Sequence, residues 1–410
     1  MGILGLHDTS DFAANERPNN WRAMMTFLRI NADMPLYALT SRMKKASTDD
    51  PVFYWWEKTE QSRRLKLSAN ISAAATSIAV ASGALGFKEG DLFYFEQTAE
   101  VVRVTADPTG DTSLTVQRGA AGTTATLINA TTSGQNPYIM GMGSAFEEGS
   151  LAPTGVNFRP SEKWNTTQIF RDTFEATNTA RQTNLRTPNA IAEMRREAAE
   201  THSLGIERAL WFGNRLETVE NGKPLRYTNG VLAQIPTANQ VTGATIGTDL
   251  ETFEDYLRQA FKYGSSQKLG FCGNWGLMVV NQIVRKNSTY NIQHGVKEAG
   301  MNVSRLLSPF GELFLKTHPT FNHMSTGPTV TGGTTNFFGL DSDIVILDMD
   351  EIRYRYLRGR DTHFDANLQI PGQDGTKAGW ITEAALEFGN PLTHFWIKKL
   401  RAANVDGATN

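Results

Sequence analysis

Between residues 66 and 135 the chain is cut into short pieces at a nearly even pitch, and that punctuation limits what this stretch can become. Strand-like runs at 76–80, 92–96, 101–105 and 113–117 alternate with turn-forming residues. These are Ala81-Ser82-Gly83, Glu89-Gly90-Asp91, Asp107-Pro108-Thr109-Gly110-Asp111 and Arg118-Gly119. Glycine, proline and aspartate interrupt regular structure for separate reasons: left-handed backbone, a fixed φ and local side-chain bonding. The pattern predicts a small all-β sandwich or barrel, inserted into a longer chain and folding separately. The chain has 410 residues, which is long for one core, so two or three lobes are expected.

Outside the block the pattern is mixed. Residues 1–50 are weakly periodic; Trp21, Met24, Met25 and Leu28 would share a face of a short helix, in an arm or a loosely packed terminus. Val52-Phe53-Tyr54-Trp55-Trp56-Glu57-Lys58 reads as an aromatic strand. Gly141-Met142-Gly143-Ser144 reads as a flexible loop, and 156–177 as extended chain. The best-delimited helix is 188–212: Thr187 can cap it, Pro188 suits its first position, and Gly213-Asn214 stops it. At about 1.5 Å per residue it would run about 37 Å. Ile191, Met194, Ala198, Gly205 and Ala209 form its expected buried stripe, with Arg195, Arg196, Glu197 and Glu200 largely off it. On that facing Met194→Asp is costly and Arg195→Ala is cheap. An amphipathic helix is expected at 250–263, a helical or buried segment at 277–284, and strands at 313–316 and 343–348. Residues 327–335 read as a Gly/Thr loop, 352–357 and 380–388 as strands that pack on the long helix, and 394–400 as a last strand.

The search for chemistry is mostly negative. Forty basic against forty-two acidic residues leave a formal charge of −2, without the basic excess of a large phosphate footprint, so nucleic acid is at most a neighbour. One cysteine, Cys272, rules out an internal disulfide framework and fits a reducing compartment; it reads as a buried, inert thiol. No apolar run is long enough for a membrane helix, and the start at Met1 has no signal-peptide pattern, nor is a prodomain expected to be removed there. Gly141-Met142-Gly143 has Phe146 where a dinucleotide fingerprint needs glycine, and His318 and His323 lack helical metal-face spacing, reading as a surface loop. Asp341, Asp343, Asp348, Asp350 and Glu351 could hold a cation or act as paired acids, but read better as solvated ends of the strand Ile344-Val345-Ile346-Leu347. No catalytic, cofactor-binding or metal-binding residue is assigned. A chain this long without a site is more easily structural than enzymatic.

Several stretches resemble, in order and spacing, the SU10-like family of phage major capsid proteins. They are Phe53-Tyr54-Trp55-Trp56-Glu57; Val116-Gln117-Arg118-Gly119-Ala120-Ala121-Gly122-Thr123; and Asn165-Thr166-Thr167-Gln168-Ile169-Phe170. Others are Ile206-Glu207-Arg208-Ala209-Leu210-Trp211-Phe212-Gly213; Arg226-Tyr227-Thr228-Asn229-Gly230; Ile346-Leu347-Asp348; Tyr356-Leu357-Arg358-Gly359-Arg360; and Glu387-Phe388-Gly389-Asn390-Pro391.

The resemblance covers roughly 50–400 and implies an α+β, HK97-like capsid fold. Its parts would be an N-terminal arm (1–50), an extended loop (E-loop) with arms at 51–65 and 136–186, and the inserted β module (66–135). A peripheral domain (187–235 and 346–400) would hold the spine helix 188–212, followed by an axial domain (236–345 in the chain) and a tail (401–410). It implies hexamers and pentamers in an icosahedral head, possible scaffolding, portal and decoration partners, packaged double-stranded DNA nearby without specific binding, and no cofactor. Assembly in the host cytoplasm and residence in the virion follow, with the β module projecting from the shell. Tyr54, Trp55, Trp56, Glu57, Met194, Arg358 and Arg360 are the candidate contact or structural residues. The Lys–Asn cross-link some members carry is not predicted. The rival readings are a tail-tube or decoration protein, and a metal-dependent enzyme using the acids from Asp341 to Glu351.

Overall fold

The fold is α+β in a computed structural model that describes residues 44–58, 63–132, 134–183, 190–243, 249–287, 292–298, 301–323, 328–331, 334–337 and 340–400. The expected N-terminal helix, the Thr187-Pro188 cap and the tail lie outside these residues. The chain divides into two compact units, 56–163 and the remainder.

The smaller unit is a closed barrel. Its six strands run in the order Arg64–Lys66, Tyr138–Ser144, Asp91–Phe95, Val101–Ala106, Ser113–Ala120, Ser77–Ala79. The two ends of that row join, with Leu67 bridged to Val80, Ser68 N donating to Ala79 O (3.1 Å) and Ala81 N to Lys66 O (2.8 Å). Period-two alternation turns Phe93 and Phe95, Val102 and Val104, and Leu114 and Val116 inward onto one core with Leu65, Ile78 and Ile139. The module is therefore larger than the expected 66–135, since Arg64–Lys66 and Tyr138–Ser144, assigned to the loop arms, are two of its strands. The glycines of Tyr138–Ser144 hid that strand. A Cβ on Gly141 would stand 2.9 Å from the Phe87 ring and 3.3 Å from Arg63 O, so glycine permits a close approach where a flexible loop was expected.

Arg118 explains its motif. Its guanidinium pairs with the buried Glu100 carboxylate (Nη2–Oε2 2.6 Å) and donates to Ser72 O and Thr126 O, both at 2.6 Å. Gly119 N adds a bond to Glu100 at 2.9 Å. Burial penalises the Glu100 carboxylate, but Arg118 and these amides outweigh it and hold its pKa below the ordinary value.

Among the described residues the larger unit is built on two large sheets, with smaller ribbons beside them. One has the order Lys45–Thr48, Ile352–Leu357, Thr376–Phe388, Gln168–Ala176, with His363–Asp365 also on Thr376–Phe388. Lys45–Thr48 runs parallel to its neighbour; the other pairings are antiparallel. The long helix, Ala190–Phe212, packs on Gln168–Ala176 and Thr376–Phe388. The second sheet has seven strands: Gln240–Thr242, Phe395–Lys398, Ile344–Leu347, Gln267–Cys272, Gly311–Thr317, Met301–Ser308 and Ile292–Glu298. Helices Leu250–Ala260 and Asn274–Asn287 share its core through Phe253, Leu257, Val280 and Ile283.

Three assignments change. Gln168–Ala176, placed in a loop arm, is a strand under the long helix. Phe395–Lys398, placed with the spine helix, pairs with Ile344–Leu347 in the second sheet. The expected Gly/Thr loop contains a ribbon of Pro328–Thr331 with Thr334–Phe337. Each is a long-range or glycine-masked pairing that local periodicity does not encode.

The helix also faces differently. Its buried residues are His202, Ile206, Glu207, Leu210 and Trp211, whereas Met194 is 36% exposed and nothing lies within 4 Å of where a Gly205 Cβ would be. His202 bonds Asp172 Oδ2 and Thr382 Oγ1, each at 2.8 Å. Polar residues on the buried side and small ones on the exposed side displaced the expected stripe. Arg195 lies over Phe364 (4.1 Å) and Trp380 (5.7 Å). The expected order of costs therefore reverses: Met194→Asp should change stability by at most about 0.5 kcal/mol, and Arg195→Ala should cost about 0.5–1 kcal/mol through the lost cation–π contact. Paired urea titrations check this; a Met194→Asp loss of several kcal/mol would restore the first facing.

Candidate functional site

Three of the stretches that carried the resemblance, those at 165–170, 226–230 and 387–391, meet at or beside one buried junction in the larger unit. Two strands meet there, Ser161–Thr166 and Gln168–Ala176, and the four consecutive side chains of Asn165 to Gln168 fasten them to two segments, 227–229 and 383–386. Asn165 is fully buried; its Nδ2 donates to Leu386 O (2.8 Å), Asn229 O (3.3 Å) and Thr228 Oγ1 (3.4 Å). Its Oδ1 accepts from Thr166 N (2.8 Å) and Asn229 N (2.9 Å). Thr166 Oγ1 donates to Tyr227 O (2.8 Å), Thr167 Oγ1 to Glu383 Oε1 (3.0 Å), and Gln168 Oε1 accepts from Thr228 N (3.1 Å). Helix end and returning chain touch backbone to backbone, Gly230 N donating to Gly213 O at 2.8 Å. A Cβ on Gly213 would sit 2.5 Å from Thr228 O, so no larger residue fits that approach.

The aromatic strand Val52–Glu57 pairs with Ser161–Thr166 as a two-stranded ribbon. Alternation buries Phe53 and Glu57 and leaves Tyr54 57% and Trp56 64% exposed. Trp55 is half-buried and stacks on Phe53 at 5.9 Å. Tyr54 lies 6.5 Å from Trp164, over whose ring Arg215 sits at 3.5 Å while donating to Trp164 O. Arg358 makes an exposed ion pair with Asp49 (3.1 Å). Arg360 pairs with the buried Glu383 (2.7 Å), and Arg355 pairs with Glu387 (2.5 Å). Met194 belongs to neither group.

Three of the five acids are not the solvated strand ends the sequence suggested, whereas Asp350 is exposed as expected. Asp341, Asp343 and Asp348 are buried, and each accepts from backbone or indole N–H groups. Asp341 takes Trp275 N (3.3 Å), Asp343 takes Lys399 N (2.8 Å) and Trp396 Nε1 (2.9 Å), and Asp348 takes Ser265 N (2.7 Å) and Asp350 N (3.2 Å). Burial raises the Asp343 pKa against those bonds. Glu351 accepts from Asn390 Nδ2 at 2.9 Å. Among the described residues no three His, Cys, Asp or Glu side chains gather as a metal site requires.

His318, expected on a surface loop, is fully buried and its Nε2 lies 2.6 Å from the equally buried Glu207, edge-on to Trp211 at 5.2 Å; Pro319–His323 is a short helix. Burial pushes the Cys272 thiol up to about 12, as suits an inert thiol. Lys268 went unnoticed: its buried ammonium donates to Ala260 O (2.7 Å), Tyr263 O (2.7 Å) and Thr393 O (2.5 Å). A lone lysine inside Leu269-Gly270-Phe271-Cys272's strand was the available signal. These polar groups tie segments together, while the aromatic ribbon leaves Tyr54 and Trp56 exposed.

The sequence model of a family described as SU10 major capsid protein matches residues 24–401. A protein named "Major capsid protein" from Pseudomonas phage PaMx41 is 27% identical over 355 residues, 84% of this chain and 79% of that one. Among solved structures, the capsid of a native GTA particle is similar over 94% of this chain and 95% of that chain, at 8% identity and a TM-score of 0.45. The holo-SrpI encapsulin complex from Synechococcus elongatus PCC 7942 is similar over 61% of this chain and 78% of that chain, at 11% identity and a TM-score of 0.40.

Proposed function

Because this chain belongs to the SU10 major capsid protein family, we propose that copies of it close into an icosahedral head shell around the phage's double-stranded DNA. It is a phage capsid protein, and its place is the virion. The observation that carries the reading is the family match at 24–401, which spans both units. In the HK97-type layout the ribbon of Val52–Glu57 with Ser161–Thr166 and the barrel both belong to the E-loop region of the chain. Ala190–Phe212 is the spine of the peripheral domain, and the seven-stranded sheet belongs to the axial domain. Tyr54 and Trp56 meet neighbouring copies in hexamers and pentamers, because apolar rings left in water are covered on assembly. Trp55, Glu57 and Arg360 hold the subunit's own form.

The chain acts without catalysis: the buried acids, His318 and Lys268 are engaged in structural bonds. Near-neutral charge lets DNA lie against the wall without being gripped. Subunits assemble in the host cytoplasm, with scaffolding, portal and decoration proteins as candidate partners. Negative-stain imaging of the expressed chain, alone and with its phage's scaffold, tests the reading. Closed or aberrant shells are expected; tubes would favour a tail protein, and monomers under every condition would overturn the proposal.

A further inference from the structure

After the long helix the chain forms a second ribbon, Leu216–Glu220 with Lys223–Tyr227. Every residue of its first strand is exposed and none of its second is buried. At about 3.4 Å per residue it extends roughly 17 Å. Among the described residues only its second strand meets another strand, Gln168–Ala176; a two-stranded ribbon so little supported is marginal in water, yet this one has a defined tip and a tied root. Its tip is Asn221-Gly222, with φ of 50° and 74°, the positive-φ pair that matches strand twist. Its root is held by Thr166 Oγ1 donating to Tyr227 O and by the Arg215–Trp164 stack.

Cross-strand register sorts the side chains. Leu216 faces Tyr227 and Thr218 faces Leu225 on one side; Glu217 faces Arg226 and Val219 faces Pro224 on the other. Both sides carry apolar groups in water, Val219 at 70% and Leu216 at 56% exposure. Among the described residues Leu216 and Val219 are left mostly uncovered, as on an arm that reaches for a partner.

We propose that this ribbon is an assembly arm whose occupant is a second copy of this chain. The inference rests on the shell reading above, in which other copies are each subunit's most abundant neighbours. Charge agrees: Glu217 and Glu220 balance Lys223 and Arg226, with Glu217 and Arg226 paired at 2.9 Å. A balanced arm does not repel a like copy, and it lacks the positive excess that nucleic acid would select.

The test places a benzophenone amino acid at Val219 and compares V219D with the native chain. In assembled shells the probe should link two copies, and the linked dimer should be absent when dissociated subunits are irradiated. V219D should lower shell yield by at least roughly tenfold, equivalent to one decade in an association constant, with the free subunit's melting temperature unchanged. Shells forming at native yield from V219D, or a probe that links nothing or only a different polypeptide, would overturn the arm while leaving the shell reading intact. A native chain that never assembles would remove the shell reading, and the arm with it.

Discussion

Lys268→Met should lower the stability of the larger unit by about 3–5 kcal/mol, the cost of removing one partner from a buried charged cluster. The lysine ties three places: the end of Leu250–Ala260 through Ala260 O, the following turn through Tyr263 O, and the approach to Phe395–Lys398 through Thr393 O. Three acceptors need three donors, which an ammonium has and a neutral amine does not. Burial lowers the Lys268 pKa to about 8, opposed by the nearby Asp348, so the ammonium still predominates at neutral pH. Methionine fills similar space but leaves three buried carbonyls unpaired, each costing about 1–3 kcal/mol. Because the folded pKa lies below the ordinary 10.5, folding works against this proton between about pH 8 and 10.5, and the native chain should gain stability there. Lys268→Met should lose that gain. Chemical denaturation at pH 7 and pH 10 measures both; equal native and mutant stability at pH 7 would show that water replaces the ammonium.

Asn165→Leu should be comparably damaging, at about 3–4 kcal/mol, because leucine is apolar and of similar size but strands Asn229 N–H, Leu386 C=O and Thr166 N–H in a dry site. The Asn165 amide joins segments whose closure depends on it: 228–229 after the ribbon, and 386 in the longest strand. Asn165→Asp is the informative companion. It keeps the acceptor for two N–H groups and loses the donor, so it should retain part of the stability at low pH, where a protonated acid can donate. Thermal unfolding followed at pH 4 and pH 7 reads the difference, and a Leu variant that melts with the native chain would mean that the junction is not a keystone of the unit.

The sequence disclosed what is local. Evenly punctuated runs at 92–96 and 101–105 announced a small all-β sandwich or barrel, and the stop at Gly213 placed the end of the long helix. What it concealed has physical causes. Tyr138–Ser144 is a strand by backbone pairing, while its glycines suppress the side-chain alternation by which strands are read. The helix was turned to the wrong face because His202 and Glu207, both buried through polar partners, look like surface residues. Asp343 and Asp348 suggested solvent for the same reason, since burial of a charge depends on donors contributed from 265, 396 and 399. The junction was visible as motif but not as place: Asn165 and Leu386 come together only in the folded chain.

The sheet beneath the long helix pairs Gln168–Ala176 with Thr376–Phe388, and Lys45–Thr48 with Ile352–Leu357. Neither pairing exists until the ribosome has made the last part of the chain. The barrel, by contrast, closes wholly within 56–163, so it is complete while 164–410 remain to be translated, about 10–50 s at ordinary elongation rates of roughly 5–20 residues per second. A chain still being translated therefore carries every residue of the barrel while the sheet beneath the long helix lacks strands. Synthesis itself thus acts as a clock, withholding each chain's sheet until residues 352–388 have been made.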